Sequence, residues 1–388
     1  MGAARSRSYA PLLAPLALLA LGLSGACGGS PESGAGGSPG DEPAPHPSWR
    51  RARLVVADAS SRELELIDVE FGESVARLEL DAVPTELAVT HSGEHVLAAT
   101  AEGARLIYAG VAVLDHSEGA SDSAEPHLHV YKYPPSLLEL SFDLASPRVA
   151  SAARASAVSS GDEAQALLFE DASLFDDAPP SPVRLEGLRA GAGPVLPIEG
   201  GFLVETAAGV AHLARAEASS STPEHLADCA DVGARASVAA RAAFACDQAL
   251  LFVDASSGAS PATVSVGLPA PLDERASIAL HVDRSDVLVA TPDGAWIVAA
   301  NGTTPLALAL PSRACDLGFE PAHAESITAL AADGVLYQLD ASTGALLHQA
   351  AVVEPFDCES PLRPRLAQAP QRAYVSVPSG ARILELRL

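Results

Sequence analysis

Five times along this chain an apolar run ends in a short turn closed by glycine, and a second run follows. The turns are Thr100-Ala-Glu-Gly103, Thr206-Ala-Ala-Gly209, Thr291-Pro-Asp-Gly294, Ala331-Ala-Asp-Gly334 and Val377-Pro-Ser-Gly380. Glycine in the last place supplies the positive φ that a hairpin turn wants. A second tetrad, Asp-Ala-Ser-Ser/Thr, follows apolar runs at Asp58, Asp254 and Asp340. The last three glycines stand 40 and 46 residues apart, the period of a propeller blade with several strands per unit. Counting strand–turn–strand units gives about eight, while the irregular stretch from Ser117 to Pro182 leaves seven open. The expected fold is therefore all-β, a β-propeller of eight blades with seven as the alternative. A β-sandwich or β-helix with coincidental turns is the competing architecture.

The runs between the turns have strand length: Leu54-Val-Val-Ala57, Val96-Leu-Ala-Ala99, Leu250-Leu-Phe-Val253 and Val287-Leu-Val-Ala290 are examples. The abundant alanine invites helix. Yet 30 glycines and 30 prolines interrupt every long window before helical periodicity builds up.

The first 50 residues have a different texture. Arg5 and Arg7 make a basic start, Ala10 to Leu23 is apolar but short for a membrane span, and Leu23-Ser24-Gly25-Ala26-Cys27 resembles a lipobox. Residues 1–26 are expected to be a lipoprotein signal peptide, with Cys27 the lipidated residue. Gly28 follows the cysteine where an aspartate would signal inner-membrane retention. Residues 27–50, rich in Gly, Ser and Pro, cannot bury enough apolar surface to fold and read as a flexible tether. Residues 51–388 are the propeller domain. The expected location is the cell envelope, periplasmic or at the outer membrane, with the bilayer reached only through the Cys27 anchor.

Formal net charge is −25, and Lys132 is the single lysine. Losing the leader removes two arginines and no acid, leaving 22 basic residues against 49 acidic ones. Phosphate backbones need clustered cations, so nucleic acid is not an expected partner. Beyond Cys27 stand Cys229, Cys246, Cys315 and Cys358, without CxxC spacing. An even count in an exported chain reads as disulfides, and of the three pairings the sequential one, 229–246 and 315–358, is expected.

One segment has ligand potential: Asp115 and His116, then Glu118, Asp122, Glu125, His127 and His129. Imidazoles and carboxylates suit zinc, and residues two apart on a strand face one side. The competing reading is a polar surface loop. His91 and His95 flank Ser92-Gly93, a turn, and read as surface residues. Nothing supports catalysis: outside the Gly/Ser/Pro tether the chain lacks a GxSxG elbow, and it lacks HExxH or a phosphate-cradling glycine loop between strand and helix.

Several stretches together carry a family resemblance. They are Leu54-Val-Val-Ala-Asp58 with Leu66-Ile-Asp68, Val113-Leu-Asp-His116 running to His127-Leu-His129, Cys229 to Cys246 ending in Phe244-Ala-Cys246, and Arg363 to Leu388 with Arg372-Ala-Tyr-Val-Ser376. Over most of Arg53 to Leu388 the domain resembles the periplasmic zinc metallochaperones of the AztD type. These are propeller proteins that pass zinc to the solute-binding protein of an ABC importer. The resemblance implies a propeller, zinc bound through Asp115, His116, His127 and His129, and a zinc-importer solute-binding protein as partner. A monomer is expected. The departures bear on the metal: the family's His-Gly-Glu after the first cysteine is Gly233-Ala234-Arg235 here, and its paired histidines are Gly191-Ala192. The family's histidine-rich N-terminal stretch shrinks to His46. These departures suit a second reading, a non-catalytic propeller scaffold for protein–protein interaction that has lost the metal site. A propeller lactonase is a third, by fold analogy alone.

Overall fold

A computed structural model describes residues 52–388 and the strands 5–7 and 16–22, except residues 59, 116–127, 161–164, 172–182, 186–187, 190–191, 216–222, 230–231, 248, 258–259, 273–275, 322–323 and 379–381. Eight four-stranded antiparallel sheets follow one another, plus one two-stranded hairpin. The innermost strands are Leu16–Gly22, Pro84–Val89, Pro147–Ala152, Leu196–Ile198, Val232–Val238, Ser277–Ala279, Ala314–Phe319 and Leu366–Ala369. Each packs on the next, and the last packs on the first, so the sheets are blades of a closed eight-bladed propeller. The stretch that leaves seven blades open instead holds the second strand of the hairpin, the outer strand of blade 2 and the first three strands of blade 3, whose fourth is Val183–Leu185.

The chain closes the ring with its beginning. Arg5–Arg7 pairs with Arg382–Arg387 as the outer strand of blade 8, and Leu16–Gly22 pairs with Arg53–Asp58 as the inner strand of blade 1. Strands alternate in direction and each blade has four, so all inner strands run the same way. One face of the ring, the entry face, thus carries the beginning of every inner strand, and the exit face carries every end.

Eight buried clusters hold the molecule, one astride each blade boundary. Val55, Leu66, Val96 and Ile107 join blades 1 and 2; Leu54, Ile67, Ala367 and Tyr374 join blade 8 to blade 1. Buried alanines in the middle strands, such as Ala98, Ala157, Ala243 and Ala329, let twisted sheets approach near the axis. The alanine content that invites helix is therefore packing between blades.

On the exit face, arginines fasten blade to blade through carbonyls left over by the turns. Arg53 Nη1 donates to Ala109 O at 2.6 Å, Arg215 Nη2 to Ala153 O at 3.3 Å, and Arg284 Nη1 to Ala324 O at 3.0 Å. Arg241 donates to the carbonyls of Val282 and Arg284. Between blades 2 and 3 a carboxylate does this work: Asp171 accepts from Ser156 Oγ at 2.7 Å and from the His91 N–H at 3.0 Å.

The turns follow the sequence reading in most instances. Gly103, Gly209 and Gly334 have φ of +156°, +136° and +77°, and Thr100 and Thr206 close their turns by donating to the glycine carbonyl at 3.0 and 3.1 Å. Gly294 departs, having no positive φ; it adjoins the Trp296 ring instead. His95 is a second correction, because it is 4% exposed rather than a surface residue. Its strand, His95–Thr100, is buried at every position between neighbouring blades, and burial already begins within the turn, at Gly93. The disulfides are Cys229–Cys246 and Cys315–Cys358, with Cα–Cα distances of 5.2 and 5.1 Å. Such bonds suit an oxidising, extracytoplasmic setting. Among the described residues no helix is long and apolar enough to cross a membrane.

Candidate functional site

Blade 2 carries the hairpin, Val111–Asp115 paired with Leu128–Lys132, between its third strand Gly103–Tyr108 and its fourth, Ser136–Phe142. It leaves the ring on the exit face, where the third strand ends. Asp115 stands opposite Leu128, and His129 opposite Leu114. The first and last candidate ligands thus occupy adjacent rungs at the tip of one ladder, at register positions on alternate faces. His116 and His127 lie outside the described residues, so the four are not all placed.

The root of the hairpin is fastened tightly. Arg53 Nη1, besides bonding Ala109, donates to Tyr133 O at 2.7 Å. Gly110 has φ +73° and lies so near Arg53 and Tyr133 O that no Cβ would fit. Lys132 Nζ lies 2.7 Å from Asp68 and 3.1 Å from Glu70, and 5.2 Å above the Phe71 ring. The chain's single lysine therefore ties the hairpin to blade 1. Among the described residues no group of three or more His, Cys, Asp or Glu side chains is placed to hold a metal ion.

The second place to look is the entry-face mouth of the central channel, where the departures from the family pattern fall. Gly191 is outside the described residues, but Gly193, the residue after Ala192, comes together with Arg235. The Arg235 guanidinium lies over Gly193, in space a Cβ would fill. Arg235 Nη1 donates to Glu205 Oε2 at 2.8 Å, and Arg189 Nη1 donates to Glu205 Oε1 at 3.2 Å. The Gly193 N–H also donates to Glu205, at 3.3 Å. Burial pushes the Arg235 guanidinium down and nearby Arg148 adds to this, while the bond to Glu205 and the charges of Glu205 and Glu86 oppose it. Arg148 itself donates through Nε to Glu86 at 2.9 Å. The cation held at this mouth is thus a guanidinium of the chain.

A third place is an exit-face cleft of about 550 Å³ between blades 4 and 5, lined by Glu199, His212, Glu224, Ser256 and Ser260. His212 Nε2 is buried without a hydrogen-bond partner and lies against Gly201. Burial lowers its pKa, with Glu224 opposing.

With this geometry in view, comparison with known proteins bears on the fold. AztD from Citrobacter koseri superposes with a TM-score of 0.74 at 18% identity, covering 86% of this chain and 91% of that one. The fold is AztD-like. The computationally designed protein Ika8 (TM-score 0.60, 11% identity, 87% of this chain and 93% of that one) shares the general architecture. So does Saccharomyces cerevisiae Sqt1 (TM-score 0.54, 12% identity, 88% and 94%). No family model matches the chain, and no curated protein matches it by sequence.

The arginine groups and the exit-face clasps went unnoticed in the sequence. Arg235 and Glu205 are 30 residues apart, and only the blade period could have brought them together.

Proposed function

We propose that this chain is a cell-envelope lipoprotein whose propeller binds a divalent metal, zinc by ligand chemistry, at the tip of the blade 2 hairpin. The observation that carries this reading is the hairpin itself, an insertion rooted by Arg53 and Lys132 whose second strand carries His129 and whose two strands are joined by the sequence segment that contains His116 and His127. The insertion would exchange metal with a partner, and the resemblance to the AztD family makes the solute-binding protein of a zinc importer that partner. No step of this function is catalytic. Lipid attached to Cys27 would hold the domain at the membrane, in the periplasm or on the outer membrane.

The test is metal analysis of the full chain after zinc loading. Wild type retains zinc, and the double variant His127→Ala/His129→Ala loses most of it. The variant keeps the apo melting temperature, because a loop site buries little apolar surface. Zinc raises the melting temperature of the wild type and not of the variant, as RT ln(1 + [L]/Kd) requires. Retention falls below about pH 6, where histidines protonate. Equal retention by both proteins would remove this site.

One observation favours the scaffold reading. At the channel mouth, where the family pattern expects histidines, Arg235 fills the space beside Gly193 and binds Glu205. A chain that binds no zinc at either place would serve as an interaction platform.

A further inference from the structure

Aromatic residues make up only 4% of this chain. Among the described residues three aromatic side chains are exposed: Phe71 at 63%, Tyr131 at 40% and Tyr133 at 48%. All three stand at one place, the root of the blade 2 hairpin on the exit face. The Tyr131 and Tyr133 rings stack with centroids 6.4 Å apart. Lys132, between them in sequence, reaches over the Phe71 ring on the turn of blade 1. Apolar side chains scattered singly over a surface are ordinary, whereas exposed rings gathered at one spot mark an interaction site.

That spot is also where the chain enters the ring. Ala52 O accepts from the Val69 N–H at 3.1 Å, two residues before Phe71. Arg53 follows, and its Nη1 donates to Tyr133 O at 2.7 Å. Gly22, paired with Arg53, ends its strand on the same face. The sequence between these strands, Cys27 included, therefore leaves and rejoins the ring at the exit face. Cys27 lies 26 positions before Arg53. A Gly-rich chain of that length spans roughly 30 Å on average, so an anchor at Cys27 brings the exit face to the bilayer first. The local charge permits close approach. Arg53 stands opposite Asp68 in register, and Lys132 holds Asp68 and Glu70, so two cations balance two carboxylates within a chain of net charge −25.

We propose that Phe71, Tyr131 and Tyr133 are a docking surface for the lipid bilayer, a second contact besides the anchor. The proposal rests on the lipoprotein reading given above. Tyrosine and phenylalanine rings settle at headgroup level, and a lysine beside them keeps its charge in water. Three half-exposed rings bind more weakly than one acyl chain, which alone gives only marginal, reversible attachment. The tether compensates, because it makes docking an intramolecular step at high effective concentration. Docking at its root holds the blade 2 hairpin beside the bilayer.

The experiment couples the unlipidated full chain, through its Cys27 thiol, to maleimide-bearing phosphatidylcholine vesicles. The other four cysteines are paired and do not react. Neutral lipid avoids the repulsion that an anionic bilayer exerts on an acidic protein. Phe71→Trp places an indole in the patch, and brominated acyl chains quench an indole only at contact. Measured against the wild-type chain, its added emission should fall on brominated vesicles relative to plain ones. The added emission of Val264→Trp, on the exposed outer strand of blade 5, should be the same on both. Adding Tyr131→Ser and Tyr133→Ser to Phe71→Trp should lower the docked-to-undocked ratio about tenfold, the effect of losing the exposed halves of two rings. All these side chains are exposed, so the variants keep the wild-type melting temperature. Equal emission of the Phe71→Trp chain on both vesicles, or equal loss for Phe71→Trp and Val264→Trp, would overturn the proposal and leave the rings to a protein partner. Coupling replaces the natural lipid, so the result does not depend on acylation of Cys27, which the mass of the exported chain decides.

Discussion

His95 shows what burial does to a titratable group in this ring. It packs 5.4 Å from the Tyr108 ring, and desolvation pushes its pKa down to about 4. An unfolded histidine binds its proton near pH 6.5, so between about pH 6.5 and 4 the unfolded chain takes up a proton that the folded one refuses. Stability that is full above pH 6.5 should thus fall as the pH drops, by about 3 kcal/mol in all from this residue. Urea unfolding between those limits measures it: His95→Gln should flatten the slope, and an unchanged slope would acquit the histidine. Nothing in His91-Ser-Gly-Glu-His95 announces this, because the sequence marks a turn, and here burial begins inside it, at Gly93. Arg235 is hidden for a related reason. Its strand, Val-Gly-Ala-Arg-Ala-Ser-Val, is partly exposed at all seven positions along the channel and shows no alternation.

Among the elements, the middle strands of the blades were the most legible and the inner ones the least. Middle strands such as Val287-Leu-Val-Ala290 are buried on both faces and read as unbroken apolar runs. Ser277–Ala279 and Leu196–Ile198 are three residues long and carry too little pattern to be read at all. The blade boundaries were equally invisible. Arg284 holds Asp286 with two bonds of 2.6 Å, reaches Ala324 O at 3.0 Å and Ala341 O at 3.1 Å, and lies 5.0 Å from the Phe319 ring. Its substitution by methionine keeps the bulk but leaves Asp286 and two carbonyls of blade 7 without their donor. A loss of about 3 kcal/mol is expected, since stranded buried polar groups cost more than a net hydrogen bond contributes. The urea midpoint of Arg284→Met reports it. A midpoint equal to wild type would mean that the apolar cluster between blades 6 and 7 suffices.

At the scale of the whole molecule, no helix among the described residues is long and apolar enough to cross a membrane, and the proposed function places the anchor at Cys27. Cys27→Ser should release the chain from the membrane fraction with its circular dichroism intact. A variant that sediments with membranes after its leader has been removed would refute the anchor.

The strand Leu16–Gly22 sets a clock on all of this. In the full chain it is the stave that completes blade 1, yet it lies within residues 1–26, which the proposed lipoprotein reading has removed. A leader that is cut away must stay out of the ring, whereas in the closed ring this stretch is hydrogen-bonded along Arg53–Asp58. Cutting and folding therefore compete for the same seven residues, and whichever is faster decides the product. If the peptidase wins, blade 1 keeps three strands and blade 8 loses Arg5–Arg7, so the lipoprotein is a ring with a seam. If folding wins, the leader becomes architecture, and Cys27 forgoes its lipid.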